Sequence, residues 1–443
     1  MDTTGLPITQ CIEERLSSKA EEFLNGPPDI LQDEAYIVNV DLYDKSNNPD
    51  GFIKLGISES RLCEDLMIAK MKELQKTEED ASLVYYSDTR GSPKFRTAMK
   101  RFLERFFKPN HAIDIEQLHS MAPTSMLEML AFCLADPGEY IMTPSPFYYN
   151  FYADVMSRAG VDIVTVPVAG MDKGSSVSIS MEQMEASYQA ATQQGKRIRA
   201  IIIFNPHNPV GYILTKHQIL NILHFSNKYK LHVIFDEIYA LSVFNQAEFT
   251  SVLSLDVPDP QRLHFIYGLS KDFGLSGYRM GILYSRNKRV LKFCRFMGNR
   301  ALSAGPIDFR SSHLLDDLDW IENVYVPTHQ SRLQEVFNKS KSRVEKLGLY
   351  VFPAQSCFFL WIYFGKFMRQ KSVEEERRIG LLMIKNKIFL CSGEANFSPA
   401  PGWFRLTVTV DQDELEIGLQ RLENVVTELE LENINIGIHK LPE

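Results

Sequence analysis

The sequence is poor in the features that mark several protein classes. Its 443 residues hold only six cysteines, at positions 11, 63, 133, 294, 357 and 391. None forms a CxxC pair, which leaves zinc and thioredoxin-like redox sites without a signature. Cysteines this sparse do not build the disulfide framework of a small secreted domain. No uninterrupted apolar run reaches the roughly 20 residues that span a bilayer. The opening MDTTGLPITQ has neither the basic start nor the apolar core of a signal peptide. Clustered basic charge is scarce as well. The longest basic patch, Lys196 to Arg199, carries three charges and leads directly into an apolar run, as the solvated end of a strand would. The net charge of -8 argues against a nucleic-acid surface. These absences predict a soluble, cytoplasmic protein with no metal centre, no membrane segment and no nucleic-acid partner.

What is present is ordinary globular composition, 44% hydrophobic and 23% charged. The length allows two or three structural units. Residues 1–30 suggest an arm with a short helix, closed by Gly26-Pro27-Pro28. Helical spacing runs over 62–79, then from Pro93 to Phe107, then over 124–135, where Thr124-Ser125 and Glu128 resemble helix-start signals. Strands are predicted at 140–143, 162–168, 200–204, 231–237 and 264–267. The apolar runs AIIIF and LHVIF are expected of internal parallel strands. Buried strands alternating with helices predict an α/β domain with a mostly parallel sheet. After about 310 the pattern changes. Charged helices at 313–347, strands at 356–363, 387–390 and 404–410, and helices at 372–385 and 412–431 predict a smaller α+β domain. The expected division is an arm (1–30), an N-terminal part of the small domain (31–75), a large domain (76–312) and the remainder of the small domain (313–443).

Ligands of such sheets sit beyond the carboxyl ends of the strands. Asn208, Asp236 and Lys271 all fall there. Lys271 follows Ser270 and precedes Arg279 by eight residues. A lysine amine can condense with an aldehyde, and an arginine can hold a phosphate. Pyridoxal phosphate (PLP) chemistry needs such a lysine, a carboxylate facing the pyridine nitrogen, phosphate donors and a clamp for the substrate carboxylate. Asp236, at the end of a buried strand, suits the ring nitrogen; its blander role is a helix cap. Tyr239 and Asn208 can reach the ring's phenolic oxygen, although an Asn-Pro pair alone usually marks only a turn. The phosphate is expected on the helix start at Thr124-Ser125, with Ser270 and Arg279. Tyr148 can stack on the ring or simply pack in the core.

Five segments then carry a resemblance: LGISESRLC from Leu55, LADPGE from Leu134, NPHNPVG from Asn205, SKDFGLSGYRMG from Ser270 and PGWFR from Pro401. Over about Leu55 to Val410 the chain resembles fold-type I PLP enzymes of the aspartate aminotransferase superfamily. Within them it is most similar to 1-aminocyclopropane-1-carboxylate (ACC) synthase and ACC synthase-like proteins. The resemblance implies that Lys271 attaches the cofactor and shuttles a proton, that Asp236 pairs with the pyridine nitrogen, and that Tyr239 and Asn208 bind the phenolic oxygen. It implies ring stacking by Tyr148, phosphate binding by Ser270 and Arg279, and a grip on the substrate α-carboxylate by Arg405. Glu59 falls where the ACC synthase branch keeps a glutamate associated with its substrate, S-adenosyl-L-methionine. A homodimer with shared active sites is implied too. The reactions this implies are a lyase acting on that substrate or, alternatively, an aminotransferase for an aromatic or other large amino acid. Two positions depart from the family pattern. Thr89 stands where a tyrosine commonly reaches the partner's cofactor, with Tyr85 and Tyr86 nearby, and Gly268 replaces a Ser or Thr of the phosphate segment.

Overall fold

The computed structural model describes residues 38–77, 81–168, 179–298 and 305–438, with 16–18, 20 and 21. The arm expected over 1–30 therefore lies almost wholly outside the described residues. In chain order the strands are β1 (Ile53–Lys54), β2 (Leu118–Ser120), β3 (Tyr140–Ser145), β4 (Asp162–Pro167), β5 (Ile198–Phe204), β6 (His232–Asp236), β7 (Leu263–Gly268) and β8 (Gly281–Ser285). They continue with β9 (Tyr350–Val351), β10 (Phe359–Tyr363), β11 (Ile388–Phe389), β12 (Cys391–Ser392) and β13 (Trp403–Thr407).

A seven-stranded sheet of order β2-β8-β7-β6-β5-β3-β4 forms the centre. Strands β3 to β7 pair in parallel, and β8 runs against both β7 and β2. The run Ala200 to Phe204 is buried along its length, because helices cover both faces of the sheet. The sequence signal missed β2 and β8. β2 is only three residues long, and β8 directly follows the Ser270–Arg279 motif, whose glycines and serines mask its periodicity.

A four-stranded antiparallel sheet, β12-β13-β10-β9, forms the smaller layer. β1 pairs in parallel with β11, which fastens the Gly56–Glu59 segment to this C-terminal part. Helix Val326–Lys346 runs beneath it, entered through a π-helical turn at Ile321–Tyr325. The last helix is longer than expected, Gln412–Ile438.

The helix expected to begin at Thr124-Ser125 instead spans Pro123–Leu134, with Ala122 at its cap and no side-chain capping bond. Pro123 explains the shift. Proline is well tolerated at the first helical position, where its missing N–H costs no intrahelical bond. Thr124 and Ser125 are thus first-turn residues. Among the described residues no helix is long and apolar enough to cross a membrane.

Candidate active site

Strand ends and helix starts converge on one cavity of about 240 Å³. Its walls include Glu59, Thr124, Tyr148, Asn208, Asp236, Tyr239, Ser270, Lys271, Arg279 and Arg405. Of the residues singled out from sequence only Ser125 is missing. It turns instead toward a separate surface pocket with Glu128, Phe132 and Arg158.

Lys271 follows β7 by three residues and is half-buried. Its Nζ donates to the Ser58 carbonyl at 2.5 Å. Burial, then the positive charges of Arg405 and Arg279, lower its pKa to about 8, against the opposing pull of Glu59 and Asp236. A lysine so placed can give up and take back a proton near neutral pH. Asp236 ends β6 and is 3% exposed. Burial raises its carboxyl to about 7, partly offset by the Ile238 N–H and Lys271. That N–H reaches Asp236 Oδ1 at 3.2 Å. A buried carboxylate without a cation is costly, so Asp236 is placed to pair with a positively charged group entering the cavity.

Arg405 is fully buried on β13. Nη1 donates to Asn208 Oδ1 and Nη2 to the Gly56 carbonyl, both at 2.7 Å. Its guanidinium lies over the Phe359 ring at 4.7 Å and faces Tyr149 at 5.8 Å. Stacking and two fixed hydrogen bonds set its plane, while Nε has no hydrogen-bond partner. The Tyr239 hydroxyl meets Ser58 Oγ at 2.5 Å, and burial raises its pKa well above the ordinary value.

The anion end is equally defined. Thr124 is in the first turn of helix Pro123–Leu134, whose N-terminus carries partial positive charge. Arg279 Nη2 donates to Thr124 Oγ1 at 3.3 Å. Arg279 itself is in the left-handed region, φ 51°, an uncommon state for a residue with a Cβ. Ser270 Oγ is buried without a hydrogen-bond partner, an orphaned donor in the wall of the same cavity as Thr124 and Arg279.

Gly268 has a physical account. A Cβ there would lie 2.5 Å from Pro123 Cγ. A side chain at this point would force Pro123 or the strand to shift, so the glycine accommodates the proline at the helix start. Gly268→Thr is expected to destabilise the fold by about 1–3 kcal/mol through overpacking. Chemical denaturation would measure it, and an unchanged midpoint would contradict the close approach.

Thr89 does not reach the cavity; its Oγ1 donates to the Arg295 carbonyl at 3.2 Å. Tyr85 and Tyr86 are 75% and 105% exposed and line no part of the site of their own chain. Sequence inspection missed three groups that matter. Ser58 meets both Lys271 and Tyr239, the Gly56 carbonyl holds Arg405, and the aromatic pair Tyr149 and Phe359 flanks the guanidinium. Ser58 and Gly56 lie within the recognised LGISESRLC segment, so their signal was adjacency to Glu59. Phe359, on a different strand, had none.

Lysine, buried carboxylate and anion cradle fit a PLP molecule. The comparisons agree. The aminotransferase class I and II family matches residues 50–422. The chain belongs to that family. It is a fold-type I enzyme fold with PLP as its cofactor. Among this family's members it is 33% identical over 394 residues to human "probable inactive 1-aminocyclopropane-1-carboxylate synthase-like protein 2", covering 88% of this chain and 69% of that one. It is 30% identical over 400 residues to Arabidopsis thaliana 1-aminocyclopropane-1-carboxylate synthase 7, covering 86% and 88%. In three dimensions it superposes on alanine aminotransferase from Pyrococcus furiosus with a TM-score of 0.75 and 22% identity, covering 94% of this chain and all of that one. That likeness establishes the aminotransferase fold.

Two further expectations arise at this site. Asp236→Ala should leave the fold largely intact while lowering PLP-dependent turnover by about 10²-fold or more, the scale of losing a preorganised charge in a buried site. Steady-state rates at saturating PLP would check this, and full turnover would remove Asp236 from the ring nitrogen. Its neighbour Glu237 is fully buried; Oε1 accepts from the Val252 N–H at 2.8 Å and Oε2 has no partner. Burial raises its pKa from 4.5 to about 8. The folded state therefore binds a proton that the unfolded state has lost. This contribution to stability is complete below about pH 4.5 and is lost as pH rises through about 8. Glu237→Gln mimics the protonated acid and should flatten the fall in melting temperature between pH 5 and 9. Identical slopes in both proteins would contradict the assignment.

Proposed function

We propose that this protein is a PLP-dependent lyase acting on S-adenosyl-L-methionine. The observation that carries the reading is Glu59, a carboxylate lining the same cavity as Lys271 and Arg405. An amino acid with a sulfonium at Cγ presents an anion at one end and a cation further along. Arg405 and Glu59 supply the two complementary charges.

Arg405 binds the α-carboxylate, already oriented by Asn208 and the Gly56 carbonyl. Lys271 Nζ takes the proton from Cα, a task its lowered pKa favours. When bound, PLP withdraws the electrons left at Cα. Asp236 would hold the ring nitrogen, and Tyr239 with Asn208 the phenolic oxygen. Thr124, Ser270 and Arg279 hold the phosphate. The Cγ–S bond breaks as a Cα–Cγ bond forms, and the electron pair leaves on sulfur as neutral methylthioadenosine. A related replacement at Cγ would use the same groups.

The reading includes a homodimer, in which Tyr85 and Tyr86, exposed in the single chain, are free to meet a second copy. Sedimentation of the purified holoenzyme tests that part. The reaction is tested by incubating holoenzyme with S-adenosyl-L-methionine and separating the products. Methylthioadenosine together with a new amino acid is expected. Absence of both overturns the lyase. Conversion of PLP to its amine form by large amino acids, with no methylthioadenosine, would establish an aminotransferase instead.

A further inference from the structure

A second cavity, of about 350 Å³, opens beside the first. Glu59 and Ser276 line both, so the two spaces adjoin at these residues. The second lies between helix Glu64–Leu74 and the loop 273–278. Its floor is apolar and polarisable. Met67 is 6% exposed and Phe273 1%. Met71 and Tyr278 complete it, with the Tyr278 hydroxyl 3.0 Å from Met71 Sδ. Thioether sulfurs and aromatic faces together favour a flat heteroaromatic ring. The rim is acidic. Glu59 and Glu64 both line the cavity and are exposed, ready to accept hydrogen bonds from hydroxyls or an exocyclic amine.

Apart from Glu59 at the junction, the chemistry of the first cavity uses none of the residues lining this space. From its continuity with the reacting cavity, its polarisable floor and the Glu64 carboxylate at its rim, we infer that it is the subsite for the nucleoside end of the substrate, with the purine against Met67, Met71 and Phe273 and the ribose hydroxyls at Glu64. A simple hydrocarbon side chain would leave that rim without partners. The inference rests on the proposed substrate, but it makes a separate claim about location.

The test uses PLP-loaded full-length protein and the variant Ile68→Trp. Ile68 lines the cavity and is 46% exposed, so an indole there occupies the cavity without entering the core. Three readouts are compared: the dissociation constant of 5′-methylthioadenosine, the KM for S-adenosyl-L-methionine, and the spectral change on adding aminooxyacetate, which needs only the cofactor and the inner cavity. The variant is expected to raise the first two by about tenfold or more, the effect of displacing one well-packed ring, and to leave the third unchanged. In the parent protein, methylthioadenosine should also slow hydrogen exchange in residues 64–74 and 273–278, which requires no variant.

Unchanged nucleoside affinity in the variant, or exchange protection confined to other segments, overturns the subsite. If methylthioadenosine binds here but S-adenosyl-L-methionine is not turned over, the subsite stands and the lyase fails. If that substrate is turned over with KM unaffected by the tryptophan, the lyase stands and the subsite fails.

Discussion

Lys271→Ala is expected to abolish covalent attachment of PLP and nearly all turnover. The lysine has two duties. Its amine condenses with the cofactor aldehyde, and it carries the proton at Cα. Loss of a positioned acid–base group alone costs about 10²–10⁴-fold. Burial and the charges of Arg405 and Arg279 make the native amine unusually ready to lose its proton. Noncovalent PLP should still bind, because Asp236, Thr124, Ser270 and Arg279 are untouched. Borohydride reduction followed by peptide mass analysis checks the attachment, and an assay at saturating PLP checks the rate. A reducible link in the variant, with normal turnover, would move the chemistry to another lysine and this site with it.

Arg405→Leu should raise the substrate requirement steeply. A charged, bidentate hydrogen bond is worth about 1.5–3 kcal/mol, or roughly 10- to 100-fold in affinity. The surroundings add a second effect. Asn208 Oδ1 and the Gly56 carbonyl both accept from this guanidinium. Leucine leaves these buried acceptors unsatisfied, at about 1–3 kcal/mol each. Some loss of stability should therefore accompany the loss of binding. Removing the positive charge also relieves its pressure on Lys271, whose pKa should rise. The alkaline shift in the pH–rate profile separates this effect from simple misfolding. Unchanged apparent affinity would take Arg405 out of the carboxylate site. Arg405→Lys keeps the charge but not the fork, and should recover only part of the affinity.

Local chemistry made much of the protein legible in its sequence. The runs AIIIF and LHVIF read as inner strands and are β5 and β6 of the central sheet, and their ends located Asn208 and Asp236. The Ser270–Arg279 motif pointed to Lys271 because it holds an amine and an arginine close together, and both line the 240 Å³ cavity. Segment chemistry also separated the parallel-sheet half from the later α+β half. The helix at Pro123 was misplaced by one residue at each end, since Thr-Ser-x-x-Glu is an equally good start signal until the proline's place in the first turn is known.

Tertiary structure decided what sequence distance concealed. Ser58 and Lys271 are 213 positions apart, yet the Ser58 carbonyl receives the lysine's proton donor. Asn208 and Arg405 are separated by 197 positions and share a 2.7 Å hydrogen bond. Gly268 looked like a missing hydroxyl until Pro123 was found against it. The second cavity beside Glu59 takes much of its wall from two of the recognised segments, LGISESRLC and SKDFGLSGYRMG, some 200 residues apart, and only the fold shows that they enclose a space. Periodicity and turn chemistry act over a few residues, so the sequence alone determined the α/β class, most of the inner strands and the cofactor. Which carbonyl, ring or empty space each side chain meets depends on long-range packing. That is why the lysine's lowered pKa, the arginine's fixed plane and the shape of the site emerged only from the folded chain.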